Sequence, residues 1–187
     1  MKMHIKQNGM KSGRMRIAGA ALLILLAYTL VTANRHKTDE PVQVGRPAPD
    51  IQVTDMNGSP VKLSDYRGQG VLLNFWGSWC VPCVSEMPRL KAAYESEDIH
   101  GVEIVAVNVG ESKGTIMEFI RLHAIPFHVM TDPSGEAANA YRVNGLPATF
   151  LINAQGLVKR IIPGELTNTQ QIRSLMESVQ PQPQPGP

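Results

Sequence analysis

Two short runs near the middle of the chain, Val71 to Phe75 (V-L-L-N-F) and Val102 to Val109 (V-E-I-V-A-V-N-V), are mostly apolar and rich in β-branched residues. Continuous rather than alternating apolar character suits strands that are covered on both faces. Between them the period changes. From Val84 to Glu97 the residues Met87, Leu90 and Tyr94 recur three to four apart, which predicts a helix with one buried face. Ile116, Phe119, Ile120 and His123 repeat this spacing, as do Ile172, Leu175, Met176 and Val179 near the end. His123 on such a face reads as a structural histidine rather than a ligand. Ala148 to Ile152, the turn N-A-Q-G, and Leu157 to Ile162 read as a hairpin closing one edge of a sheet. Ile51 to Leu63, with D-M-N-G at its middle, reads as an earlier hairpin. The order is hairpin, βαβ, αβ, hairpin and final helix, which is an α/β layered fold.

The beginning of the chain follows another pattern. Lys2, Lys6, Lys11, Arg14 and Arg16, with no acid among them, precede an uncharged run from Ile17 to Ala33. That run is near the lower limit for crossing a bilayer core of about 30 Å as a helix. It has no polar face, which argues against a buried core helix. The upstream cations outweigh Arg35 and Lys37, so the N-terminus stays in the cytoplasm and the remainder is exported. An uncleaved, single-pass anchor is the favoured reading; a cleaved signal peptide, with Val31 and Ala33 as its small-residue site, is the competing one. The chain therefore divides into a basic N-terminus (1–16), a transmembrane signal-anchor (17–33), a polar linker (34–42), a domain (43–179) and a tail (180–187). The tail is too rich in proline for helix or central strand.

Composition narrows the classes of function. A hydrophobic share of 43% in 187 residues is enough to build one core, and a net charge of +2 leaves no broad basic surface for nucleic acid. The two cysteines, Cys80 and Cys83, fall together in N-F-W-G-S-W-C-V-P-C-V-S-E-M-P (74–88). Four ligands are usual for structural zinc, and two cysteines without a histidine pair at ligand spacing do not supply them, so no metal is expected. A purely structural disulfide would close too short a loop to remove much unfolded-state entropy. An exchange-active pair is the best remaining account. With the preceding strand running through Gly77 and Ser78, the helix starts near Cys80, and Pro82 fits its first turn. Unpaired N–H groups at that end then favour a Cys80 thiolate, and Cys83 lies one turn on, more sheltered.

W-C-V-P-C after an apolar strand resembles the thioredoxin superfamily. The wider set G-R-P-A-P-D (45–50), D-x-N-G (55–58), V-K-L-S-D-Y-R-G (61–68), residues 74–88 and G-L-P-A-T-F-L-I (145–152) resembles the membrane-anchored ResA/TlpA-like thiol-disulfide oxidoreductases. The resemblance implies a thioredoxin-like fold, a central mixed sheet flanked by helices, with an N-terminal β-hairpin and a βα insertion, preceded by one transmembrane helix. It implies that Cys80 attacks, that Cys83 resolves, and that the two form a redox-active disulfide without any cofactor. It matches Pro147 to the superfamily's cis-proline, which would expose the backbone of Leu146 for strand-like contact with a peptide. It gives Glu86 a role beside Cys83, disfavouring its thiolate and taking its proton during resolution. Asn74 stands where ordinary thioredoxins carry a buried aspartate, which leaves Glu86 as the substitute base. Trp79 is expected to shield the disulfide and, with Pro82, Leu146 and Pro147, to form the substrate face; Trp76 is expected to pack internally with its indole N–H paired.

No histidine lies between the cysteines to stabilise a thiolate, so the pair should sit toward the reducing end of a range running from about −270 to about −120 mV. The resemblance implies a monomeric reductant on the outer side of the cell membrane. Its substrate would be the C-x-x-C-H disulfide of apocytochrome c, and a membrane thiol-electron carrier of the CcdA/DsbD type would supply its electrons. A spore-envelope or other exported protein is the alternative substrate. A peroxiredoxin-like peroxidase and a non-catalytic holder of apocytochrome are the alternative activities.

Overall fold

The apolar run at the centre of the chain becomes the middle of a sheet. In the computed structural model, which describes residues 41–181 together with Leu25 and Thr29, the first hairpin is β1 (Gln52–Asp55) and β2 (Pro60–Lys62). Then follow β3 (Gly70–Trp76), α1 (Val81–Tyr94), β4 (Val102–Val109), α2 (Lys113–His123) and β5 (His128–Asp132). A short α3 (Glu136–Ala140), the hairpin β6 (Ala148–Ile152) and β7 (Val158–Pro163), and α4 (Thr169–Glu177) complete the order. Apart from Leu25 and Thr29, the anchor expected over 17–33 lies outside the described residues, as does most of the tail. Among the described residues no helix is long and apolar enough to cross a membrane.

The sheet order is β2-β1-β5-β4-β3-β6-β7. β3, β4 and β5 run parallel, and the hairpins join them antiparallel at the two sides. Both faces of β3 are covered, which is why its sequence is almost uninterrupted in apolar residues. Leu72 and Trp76 pack with Met87, Leu90, Ile116, Phe119, Ile172 and Leu175 on one side. Val71, Leu73 and Phe75 pack with Val105, Val107, Tyr141 and Phe150 on the other. Fully burying each such side chain is worth about 1.5–3 kcal/mol relative to leaving it exposed. By strand alternation Asn74 shares the side of Leu72 and Trp76, the side that α1 covers.

Some expectations need correction. The first helix ends at Tyr94, not Glu97, because Glu95, Glu97 and Asp98 would bring negative charge to the end where the helix dipole is already negative. His123 is exposed and stacks on Phe119 at 4.1 Å rather than lying inside. α3, with its buried Ala137 and Ala138, is too short to show a helical period in sequence.

Gly70 marks where the fold is tightest. A Cβ there would meet the carbonyl oxygen of Val179 at 2.3 Å, where the chain leaves α4, and a backbone atom cannot rotate away. Gly70→Ala should lower stability by about 2 kcal/mol or more, read as a lower urea midpoint at unchanged slope.

Candidate active site

The site grows from the carboxyl end of β3. Gly77 to Cys80 form a tight turn closed by the Cys80 N–H donating to Gly77 O at 3.2 Å. Cys80 caps α1 in an extended conformation, and its Sγ accepts from the Cys83 N–H at 3.3 Å. Val81 and Pro82 occupy the first turn, where a missing N–H costs nothing. The two sulfurs are bonded at 2.09 Å, with Cα atoms 5.2 Å apart. Cys80 retains 7% exposure and Cys83 none, so an external thiol or disulfide meets Cys80 first.

Behind Cys83 lies a buried polar cluster. Glu86, one turn further along α1, is wholly inaccessible. Its Oε1 accepts from Asn74 Nδ2 at 2.8 Å, and its Oε2 accepts from the Leu166 backbone N–H at 2.8 Å. Asn74 Nδ2 also donates to Thr149 Oγ1 at 3.0 Å, while Asn74 Oδ1 has no partner among the described residues. Burial pushes the Glu86 carboxyl up to about 7, although the bonds from Leu166 and Asn74 pull the other way. A carboxyl in that range can give or take a proton near neutrality. Arg89 fastens the same loop from outside, donating from Nε to Leu166 O at 2.8 Å and pairing with Glu165.

The remaining expected residues lie at the rim. The β3–β6 register pairs Phe75 with Ala148, so Pro147, just before β6, stands beside the end of β3 from which the cysteine turn departs. The Leu146–Pro147 bond is cis, Pro147 is buried, and Leu146 is half-buried and outside the strand ladder. Trp79 is 66% exposed, with Val81 and Pro82 also exposed beside the cysteines. The Trp79 indole lies over Gly77, whose added Cβ would come within 2.8 Å of Nε1. Trp76 packs on Phe119 at 4.8 Å as expected, but its indole N–H finds no partner among the described residues, because apolar side chains surround it. A groove of about 470 Å³, lined in part by Val42, Tyr141, Leu146, Pro147 and Ile161, adjoins the cis-proline loop and includes neither cysteine.

Comparison with known proteins agrees with this geometry. The model of the AhpC/TSA family matches residues 44–161. The thiol-disulfide oxidoreductase ResA of Geobacillus kaustophilus is 44% identical over 91% of this chain and 99% of its own length. ResA of Bacillus subtilis is 40% identical over 91% of this chain and 96% of its own. The chain belongs to the ResA-type thiol-disulfide oxidoreductases of the AhpC/TSA family. A Chlorobium tepidum structure assigned as thiol:disulfide interchange protein DsbE superposes with a TM-score of 0.65 at 32% identity, covering 74% of this chain and 98% of that one. The fold is thioredoxin-like, with a mixed sheet of seven strands. Cys80–Cys83 is its C-x-x-C disulfide.

Several members of the site were not anticipated from sequence. Thr149 sits opposite Asn74 in the antiparallel register and is fully buried. A threonine inside the apolar run A-T-F-L-I was the available sign. Leu166 contributes its backbone, which no side-chain pattern reveals. Asn108, Glu111 and Ser78 form a second cluster, on the near side of the cysteine turn.

Proposed function

We propose that the domain over residues 43–179 is held on the outer side of the cell membrane by residues 17–33 and reduces disulfides in exported proteins. Its foremost substrate is the C-x-x-C-H disulfide of apocytochrome c before haem attachment. The observation that carries this reading is Glu86, buried one turn from the sheltered Cys83 with its carboxyl pushed up to about 7. In the reduced protein the Cys80 thiolate attacks one substrate sulfur, the substrate S–S bond breaks, and a mixed disulfide forms. Glu86 takes the proton from Cys83, whose thiolate then attacks Cys80 Sγ and expels the second substrate thiolate. The substrate gains two electrons, and the Cys80–Cys83 disulfide is restored. A membrane thiol-electron carrier of the CcdA/DsbD type returns two electrons to it.

The buried carboxylate also explains the direction of transfer. A negative charge beside Cys83 disfavours the thiolate, so the reduced pair is not stabilised as it is in strong oxidants. Trp79, Pro82, Leu146 and Pro147 supply the face for an extended peptide, with Leu146 offering its backbone for strand-like pairing.

The test is an oxidised peptide carrying C-x-x-C-H, mixed with the reduced chain. One peptide disulfide should be lost for each Cys80–Cys83 disulfide formed, while hydrogen peroxide is left unconsumed. Failure to release peptide thiols at any excess, or turnover of peroxide instead, refutes the proposal.

A further inference from the structure

The loops that follow β3 and β4 lie side by side, because the parallel register pairs Trp76 with Asn108 near the ends of these strands. On that shared rim Glu111 reaches across to the turn that delivers Cys80. Its Oε2 accepts from the Ser78 backbone N–H at 2.7 Å and from Asn108 Nδ2 at 2.6 Å. Its Oε1 accepts from Ser78 Oγ at 2.5 Å. Burial raises the carboxyl, yet the bonds from Asn108 and Ser78 together outweigh it and hold Glu111 below the ordinary carboxylate range. Asn108 is itself fully buried at the end of β4, so Glu111 is fixed by the sheet rather than by a mobile loop.

Ser78 is the second residue of the four-residue turn Gly77–Cys80. Its amide and its hydroxyl are both held by one carboxylate, which leaves the turn little freedom to tilt. The next two residues are the exposed Trp79 and the attacking Cys80. We propose that Glu111 is a positioning residue: anchored by Asn108, it clamps Ser78 and so orients Cys80 and Trp79 toward the disulfide of a protein substrate. It touches neither sulfur and acts through the turn. The inference rests on the disulfide-reductase reading above.

The 187-residue chain and its variants, reduced and mixed with the oxidised C-x-x-C-H peptide, supply the test. Glu111→Ala removes all three bonds, and kcat/KM should fall about tenfold or more, since small misplacements of reacting groups have effects of that size. Glu111→Gln keeps an oxygen to accept from Ser78 N–H and Asn108, and its NH₂ donates to Ser78 Oγ. It should therefore retain kcat/KM within about twofold, a rescue that loss of charge alone would not permit. Wild-type rates in Glu111→Ala overturn the inference, and so does an equal loss in Glu111→Gln. If Glu111→Ala does not fold, Ser78→Ala decides: slower reduction beside an active Glu111→Gln supports the clamp, and unchanged reduction sinks it. A wild-type chain that reduces no peptide removes the functional reading first and this inference with it, whereas an active wild type with an indifferent Glu111→Ala removes the inference alone.

Discussion

Cys80→Ser should abolish disulfide reduction altogether, while Cys83→Ser should stop the reaction halfway. The two sulfurs differ in their surroundings: Cys80 caps α1, accepts the Cys83 N–H and retains 7% exposure, whereas Cys83 is wholly buried. Only Cys80 can meet an external disulfide, and a serine hydroxyl at that position has no thiolate to attack with. With Cys83 replaced, attack proceeds, but nothing within the chain can displace the substrate from Cys80. A mixed disulfide should then accumulate to one partner per chain, visible as a shift on a non-reducing gel that dithiothreitol reverses. In the native host, mass spectrometry of the captured partners should show proteins bearing C-x-x-C-H, and their absence would undercut the haem-assembly proposal. A holder without turnover would bind its client as well with serine at position 80. Continued turnover by Cys80→Ser, or by Cys83→Ser, would overturn these assignments.

How much of this was visible in sequence depended on whether a residue acts through a local pattern or across the fold. The β3–α1 junction was legible because cap, first-turn proline and cysteine spacing are all local, and α1 does begin as the motif implied, with Cys80 at its cap. The outer strands were legible as hairpins because each carries its own turn, Asp55 to Gly58 in one and Asn153 to Gly156 in the other. By contrast β5 was expected only as the unbounded strand after α2, since H-V-M-T-D is short and its final Asp132 turns inward to accept the Ala138 N–H at 2.9 Å. The partners of Glu86, Asn74 and Leu166, lie 12 and 80 residues from it in sequence, and Thr149, which Asn74 also bonds, lies 75 residues from Asn74. No periodicity connects them; only the β3–β6 register and the packing of the β7–α4 loop on α1 bring them together. Glu111 carries no local signal for the same reason: it lies 33 residues from the serine it holds.

Glu86→Gln should make the chain more stable at neutral pH and remove a pH dependence that the wild type shows. Burial raises the Glu86 carboxyl from 4.5 to about 7 in the folded protein, so between these values the native state binds more protons than the unfolded one. Stability then falls as pH rises through this window, the opposite of the usual salt-bridged carboxylate. The full difference corresponds to about 3 kcal/mol, present below pH 4.5 and lost above pH 7. Glutamine imitates the protonated form: its oxygen accepts from the Leu166 N–H, and its NH₂ can donate to Asn74 Oδ1, the atom now without a partner, once that amide turns over. Urea unfolding of both oxidised proteins from pH 4 to 8 isolates the effect, because every other titrating group cancels in the difference. The stability gap, Glu86→Gln minus wild type, should widen by about 3 kcal/mol over that range. The same substitution should slow resolution of the mixed disulfide without slowing the first attack, since Glu86 lies behind Cys83 and not beside the exposed sulfur. Parallel stability curves would show that Glu86 is not held in its neutral form by burial. An unchanged resolution rate would remove it as the base.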